Sequence, residues 1–491
     1  LASDLPPEDT PASGRPSRFG EALDAGRAAV RSGWHAVRSL EPDFWRNLAA
    51  ELTSGRQWVD RAIVLVYAGL TGLMLVGLTL LSETAIALFD RLQHLESIAR
   101  FATLLWTPML TVALLWWARR FAPGTQGSGI PQVMRALDDR LDRQQRKGLV
   151  SLRLSLHKIG LVTGGLLAGL SIGREGPAVQ IGAGVMAHAH RWLSPRSPID
   201  MHDLMVAGAA AGIAAAFNTP LGGIVFAIEK LSGRRSAAHG TLVITSIVLA
   251  GLVAVSVFGN ETYFGSLKVQ ELPWSLLLPG LLVALIAGLA GGLFSRLLVL
   301  SAQATGGRVI GWRNKYPLRF AAACGFAVAV IGLSTHGATA GGGYATTQAL
   351  LEGHADLPGV YTFLKLCATW LSSWSGVPAG VFAPSLAIGA GIGHDVALAV
   401  GVSTQAAIPL IALGMVGFLA ATTQGPITAF IIVMEMVSGH TMVLSLMASA
   451  LLASGVSRLI SRPLYVELAA LILPLPATLV ASTAPAAESK P

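Results

Sequence analysis

Long apolar stretches alternate with short polar ones along this chain, and the spacing of the two sets the first expectation. Runs free of Asp, Glu, Lys and Arg cover 204–228, 236–260, 272–295, 366–394 and 396–434. A helix needs about 20 residues to cross a hydrocarbon layer about 30 Å thick, so each run allows at least one crossing. The strict two-residue alternation of a closed barrel is absent, and the predicted spans are helical. The first long apolar run begins near Ala62 after many charges, so no cleavable signal is expected ahead of it. Residues 1–20 and 482–491 are polar and rich in proline or alanine, and predict loose tails. The functional part should lie between Trp45 and Leu475.

Inside the apolar region the pattern repeats. "GREGPAVQIGAG" at 173–184 has a counterpart in "GVFAPSLAIGAG" at 380–391. Gly173, Pro177, Ile181, Gly182, Ala183 and Gly184 fall on Gly380, Pro384, Ile388, Gly389, Ala390 and Gly391, 207 positions later. "NTPLGGIVFAIE", ending at Glu229, matches "QGPITAFIIVME", ending at Glu435, 206 positions later, with Pro220 on Pro426. Two separate matches at almost one offset predict a duplication, with halves at roughly 61–260 and 270–475.

Glycine and proline interrupt the apolar runs at "GSGIP" (127–131), "GREGP" (173–177), "FNTPLGG" (217–223), "GVPAGVFAP" (376–384) and "TTQGP" (422–426). Glycine permits a turn or a close approach, and proline suits the first turn of a helix, where its missing N–H costs nothing. Each interruption can therefore start a helix within the apolar region. Such a start presents unpaired N–H groups and the positive end of the helix dipole. Several starts converging on one spot make an anion site without a full positive charge beside it. Breaks at corresponding places in duplicated halves are a transporter pattern.

Composition agrees with the pattern: of 491 residues 53% are apolar and only 13% charged. The mean hydropathy is +0.60. The net charge of +8 comes from Lys and Arg clusters in the polar stretches, such as Arg135, Arg140, Arg143, Arg146 and Lys147, or Lys230, Arg234 and Arg235. Under the positive-inside tendency these segments and both termini are cytoplasmic, and no nucleic-acid role is expected. Cys324 and Cys367 lack metal-ligand spacing and are expected to be buried free thiols. His188, His190, His202, His239 and His440 are scattered, so no metal is expected. No Ser/His/Asp constellation accompanies the motifs, which argues against an enzyme. Trp116, Trp117, Trp192, Trp370 and Trp374 suit interface or packing roles.

Against this background two charges stand out, because Arg174 and Glu175 are the only fully charged side chains between Ile159 and His190. A carboxylate at converging helix starts can compete with a halide for the same N–H donors, and protonation removes the competition. Glu175 is thus a candidate for a group that occupies such a site when ionised and leaves it when protonated. Arg174 reads as structural, holding backbone carbonyls near the bend, rather than as part of the anion shell.

"GSGIP", "GREGP", "GVFAP" and the late "RPLYVE" (462–467), in that order, resemble the signature motifs of the CLC family of chloride channels and proton/chloride antiporters. The resemblance covers about residues 60–475 and implies an all-α polytopic membrane protein with an inverted internal repeat and broken, re-entrant helices. It implies a cytoplasmic N-terminal segment at 1–60, a transmembrane domain at 61–475 and a short tail at 476–491. It further implies a homodimer with one pore per subunit, in a bacterial inner membrane, with bound chloride as its only ligand and no cofactor. Ser128 and Tyr465 match the hydroxyls that contact the central anion. Backbone N–H groups of Val381 and Phe382, with those of Gly129 and Ile130, would complete that site. The 173–177 turn, including Gly176, would form an outer one, and Glu175 matches the gating glutamate. Lys158 is expected to raise the pore potential without touching the ion. The 26 residues after Tyr465 leave no room for the paired nucleotide-sensing domains of many eukaryotic members, so regulation through them is not expected.

One position departs from the family pattern. Where well-coupled antiporters end "FNxPLxG…" in two acids, this chain has Glu229 and Lys230, so a base stands at the inner proton-transfer glutamate. Gln132 and Met134 likewise stand where acids often follow "GSGIP". The expected function is chloride transport coupled to opposing proton movement, with an inner route through Glu229, Lys230 or water. The alternative is a channel or uncoupled chloride uniporter on the same scaffold. Ser128 and Pro177 favour chloride over fluoride, and bromide and nitrate should pass too, because helix-end N–H donors discriminate coarsely.

Overall fold

The computed structural model describes residues 43, 55–94, 97–231, 240–259, 263–264, 273–303, 307–354 and 357–472. The tails expected at 1–20 and 476–491 lie outside the described residues, as do Arg234, Arg235 and His239. The chain divides after Arg61, and the described residues from Ala62 onward form one compact unit. Among the described residues the regular structure is helical, with one isolated backbone bridge.

Among the described residues seven helical segments are long and apolar enough to cross a membrane. They involve α1 (Gly55–Gln93), α2 (Thr103–Phe121), α10 (Leu277–Ala302), α12 (Pro317–Ser334), α15 (Phe382–Val400), α16 (Thr404–Thr423) and α18 (Val443–Ile460). Between them lie the shorter α3 (Ile130–Ala136), α4 (Arg143–Leu149), α5 (Leu152–Leu167), α6 (Glu175–Ala189), α7 (Met201–Phe217) and α8 (Pro220–Phe226), together with the 19-residue α9 (Gly240–Phe258). The second half adds α11 (Arg308–Lys315), α13 (Tyr344–Glu352), α14 (Tyr361–Trp374), α17 (Pro426–Met436) and α19 (Leu464–Leu471). At 1.5 Å per residue a seven-residue helix such as α3 or α8 reaches only ~10 Å. These are the broken helices that the Gly/Pro interruptions predict.

The duplication is visible in backbone detail. Helix α7 ends at Asn218 in a left-handed conformation (φ 55°), and α16 ends at Gln424 in the same one (φ 52°). After each, a proline opens the next helix, Pro220 for α8 and Pro426 for α17. Helix α6 packs on α7, and α15 on α16. Both crossings are close because glycine meets glycine. A Cβ on Gly182 or Gly208 would run into the other's carbonyl, and the same holds for Gly389 and Gly414. Without a hydrophobic drive between helices in lipid, such small-residue contact is what holds them.

The halves meet at equivalent residues. The Gly173 N–H donates to the Gly380 carbonyl at 2.7 Å in an antiparallel bridge. Glu229 reaches across to the start of α17, accepting from the N–H groups of Ile427 (3.2 Å) and Thr428 (2.8 Å). Glu435 returns the contact at the start of α8, accepting from Leu221 (3.2 Å) and Gly222 (2.7 Å). Each half thus supplies a carboxylate to the positive end of the other's short helix.

Cys324 is buried and free as expected, whereas Cys367 is free but only partly buried, on the α14 face between the core and the surface. Trp370 and Trp374 stack on each other with centroids 4.8 Å apart, a packing role, while Trp116 and Trp192 are exposed.

Candidate anion site and gate

The site is built from the turns that the glycines make. At "GSGIP" Gly129 has φ 111°, a conformation open to glycine, and Pro131 lies in the first turn of α3. The turn is tied from two directions. Gln132 accepts from the Gly129 N–H at 2.9 Å and donates to the Gln126 carbonyl. Lys158, fully buried in α5, donates to the carbonyls of Thr125 (2.6 Å) and Gly127 (2.8 Å). Lys158 therefore acts on the backbone of the turn and not on its mouth. Gly129, expected to lend its N–H to an anion, gives it to Gln132, so its part is to shape the turn. Ile130 opens α3 with an N–H that helix geometry leaves without an intrahelical partner.

Ser128 projects from this turn toward the start of α6. Its hydroxyl lies where a Cβ on Gly176 would be, which is why the "GREGP" turn carries glycine there. Helix α19 packs against α3 and brings Tyr465, 2% exposed, to the same place. The two hydroxyls lie close enough to interact. Neither makes a protein hydrogen bond of normal geometry, although both oxygens are fully buried. Buried hydroxyls are ordinarily paired, so two unpaired ones facing each other mark a place made for another polar group.

Glu175 and the start of α15 form the next part. Glu175 is 1% exposed and is the first residue of α6. Its carboxylate accepts from the Ala383 N–H at 3.4 Å, one residue beyond Phe382. A Cβ on Gly173 would occupy the position of its Oε2, so that glycine clears the space the carboxylate uses. Val381 and Phe382 stand at the cap and first position of α15, both buried. The chemistry available is an acid that, when ionised, takes helix-start donors otherwise open to a halide, and that releases them on protonation.

Arg174 points away from this spot. It donates to the Thr79 carbonyl (3.4 Å) and pairs with Glu83 (3.2 Å). Above the gate lies a cavity of about 730 Å³ lined in part by Glu83, Arg174, Glu175 and Tyr263. Glu229 and Lys230 sit in a π-helical turn, Ala227–Leu231, away from that cavity. Glu229 is engaged at α17, and Lys230 donates to the last carbonyls of α16, Thr423 (3.1 Å) and Gln424 (2.9 Å). A base at this position therefore satisfies a helix C-terminus.

Two residues escaped the sequence reading. Lys365 in α14 is fully buried, donates to the carbonyls of Thr339 and Gly341 at 2.9 Å, and lies 207 positions after Lys158. The repeat offset alone could have found it. Tyr263, packed beside Arg174, follows no spacing rule. Among the described residues one group, Asp200, His202 and Asp203, brings three possible metal-ligand atoms within 4.8 Å. Asp200 there caps α7, accepting from the Asp203 N–H at 2.7 Å, which accounts for its place.

Comparison with known proteins agrees with this geometry. The voltage gated chloride channel family matches residues 109–458. The H(+)/Cl(-) exchange transporter ClcA of Cronobacter sakazakii is 30% identical over 425 residues, covering 82% of this chain and 88% of that one. ClcA of Yersinia pestis is 29% identical over 468 residues, covering 88% and 93%. A slow cyanobacterial Cl-/H+ antiporter superposes with a TM-score of 0.69 at 24% identity, over 84% of this chain and 97% of that one. A CLC-type fluoride/proton antiporter does so with 0.69 at 21%, over 83% and 96%. The relatives carry transporter names and the solved structures share the fold. With the family match spanning most of the membrane region, the chain belongs to the CLC family of chloride channels and transporters.

Proposed function

We propose that this protein exchanges chloride for protons across a bacterial inner membrane, with Glu175 as gate and proton acceptor. The observation that carries the reading is the pair of buried, unpaired hydroxyls of Ser128 and Tyr465, next to the interior starts of α3, α6 and α15. A dehydrated chloride placed there would accept from both hydroxyls and from N–H groups near Ile130, Val381 and Phe382. The Glu175 carboxylate, held at the start of α15, competes for the donors beside it. Protonation frees those donors and loads the proton that travels outward as chloride travels inward, or the reverse. Gly176 keeps the way clear for Ser128. The names of the relatives, which are exchange transporters, support the coupled form. Bromide and nitrate follow chloride.

A homodimer with both termini in the cytoplasm completes the proposal. Leu221, Ile228 and Ile427, on or beside the short helices α8 and α17, expose apolar side chains that a second subunit would cover. One observation favours a second reading, an uncoupled uniporter or channel: Glu229 and Lys230 are both engaged with helix ends, so neither stands free as an inner proton carrier. Purified protein in liposomes with a chloride gradient, voltage clamped by a potassium ionophore, decides between them. The antiporter drives protons uphill as chloride runs down, and a flat pH trace with chloride movement establishes the second reading. E175Q, which imitates the protonated acid, should keep anion flux, lose its pH dependence and move no protons. Wild-type pH dependence in E175Q would remove Glu175 from the gate.

A further inference from the structure

Tyr263 and Phe264 lie between α9 and α10, far in sequence from every motif discussed so far. The Phe264 N–H donates to the Met436 carbonyl at 2.8 Å, at the end of α17. That bond fixes Tyr263 against the outer side of the gate. Its ring meets Phe217, the last residue of α7, edge-on at 5.7 Å, and Tyr344, the first residue of α13, edge-on at 5.0 Å. Phe217 in turn lies 5.4 Å from Phe382 at the start of α15. A continuous row of rings, Phe382, Phe217, Tyr263 and Tyr344, thus runs from the candidate anion site to the outer cavity. Tyr263 lines that cavity together with Arg174 and Glu175.

The row matters because of where the Glu175 carboxyl must go. In the structure it sits on the Ala383 N–H, and opening the pathway moves it off that donor. A protonated carboxyl carries a donor and an acceptor, and leaving either unmet in a buried place is costly. The outer cavity holds Glu83, Asp90, Arg174, His336, Tyr263 and Tyr344 as its charged or titratable groups beside Glu175. Arg174 is engaged by Thr79 and Glu83, and Asp90 accepts an ion pair from His94. Of the two phenols in this cavity, that of Tyr263 sits on the ring that touches Phe217, one step nearer to Phe382 and the gate than Tyr344, and so is placed to meet a carboxyl that swings outward.

We propose that Tyr263 is a positioning residue for the gate: its phenol receives the displaced, protonated carboxyl of Glu175 and so sets how readily acid opens the pathway. The proposal rests on the reading of Glu175 as gate. Tyr263→Phe keeps the ring contacts and removes only the hydroxyl. One net hydrogen bond to the open state corresponds to a shift of acid activation by about 0.4–1 pH unit toward lower pH. The experiment is chloride efflux from liposomes across pH for wild type, Y263F, E175Q and the double variant, with thermal unfolding of each. Y263F should show the shifted profile with full flux at the acid end and an unchanged unfolding midpoint, and the double variant should be as pH-independent as E175Q. A wild-type profile in Y263F overturns the role of Tyr263 and leaves the gate reading standing. Flux lowered equally at every pH, with a lowered unfolding midpoint, is a packing effect and also overturns it. Wild-type pH dependence in E175Q instead overturns the gate reading itself.

Discussion

Replacing Tyr465 with Phe should weaken anion binding without weakening the fold, and the two effects can be measured on one sample. The ring of Tyr465 is 2% exposed and packs within the main core, and phenylalanine keeps those contacts. Only the hydroxyl is lost, and it makes no protein hydrogen bond of normal geometry. No partner is therefore orphaned, and removal relieves a buried polar atom of its desolvation cost. In halide-free buffer the variant should be as stable as wild type or more so. With chloride present, the lost donor is a hydrogen bond to a charge, worth about 1.5–3 kcal/mol, or roughly 10- to 150-fold in affinity. Calorimetric titration with chloride reads the affinity, and thermal unfolding with and without chloride reads the linkage, since a ligand that binds the folded state raises its stability. Wild-type affinity in Y465F, or a lower unfolding midpoint in halide-free buffer, would refute the assignment.

Two further outcomes follow from contacts already described. Gly176→Ala should abolish chloride binding and lower stability, because its Cβ would meet the Ser128 hydroxyl and come 2.9 Å from the Ser128 carbonyl oxygen; retained binding in calorimetry would show that Ser128 does not stand at the anion. Glu229→Gln and Glu435→Gln should each lower stability by about 0.5–2 kcal/mol through loss of charge at a helix start, with unfolding in detergent as the measure. A large flux defect in E229Q with unaltered stability would instead point to a proton-carrying part.

Much of the fold was legible because glycine and proline act locally. "GSGIP", "GREGP" and "GVFAP" announce helix starts by residue type alone, and the structure has helices opening at Ile130, Glu175 and Phe382. The repeat was legible from Pro220 and Pro426, and the left-handed ends at Asn218 and Gln424 show why those stretches match. Contacts across the halves were not legible. Glu229 reads as part of an inner proton route, whereas the N–H it meets lies 199 positions away, a distance no periodicity spans. Lys230 reads as a lost acid, whereas its amine serves the end of α16. Tyr263 and Phe264 are an aromatic pair outside every motif, and the meaning of Tyr263 depends wholly on what α7, α13 and α17 bring to it.

The exchange of carboxylates between the halves also constrains how the protein can be made. Helix α8 begins at Pro220, yet the acid that satisfies its first N–H groups belongs to Glu435, which is 213 positions beyond Gly222. At ribosomal speeds of about 5–20 residues per second, that acid arrives ~10–40 s after the helix it serves. For that interval the first half sits in or at the membrane with an unanswered helix start, and the second half is translated with Glu229 already waiting for it. The two halves are therefore expected to mature as one event after the chain is complete, and fragments cut between residues 260 and 270 to recover their fold when produced together.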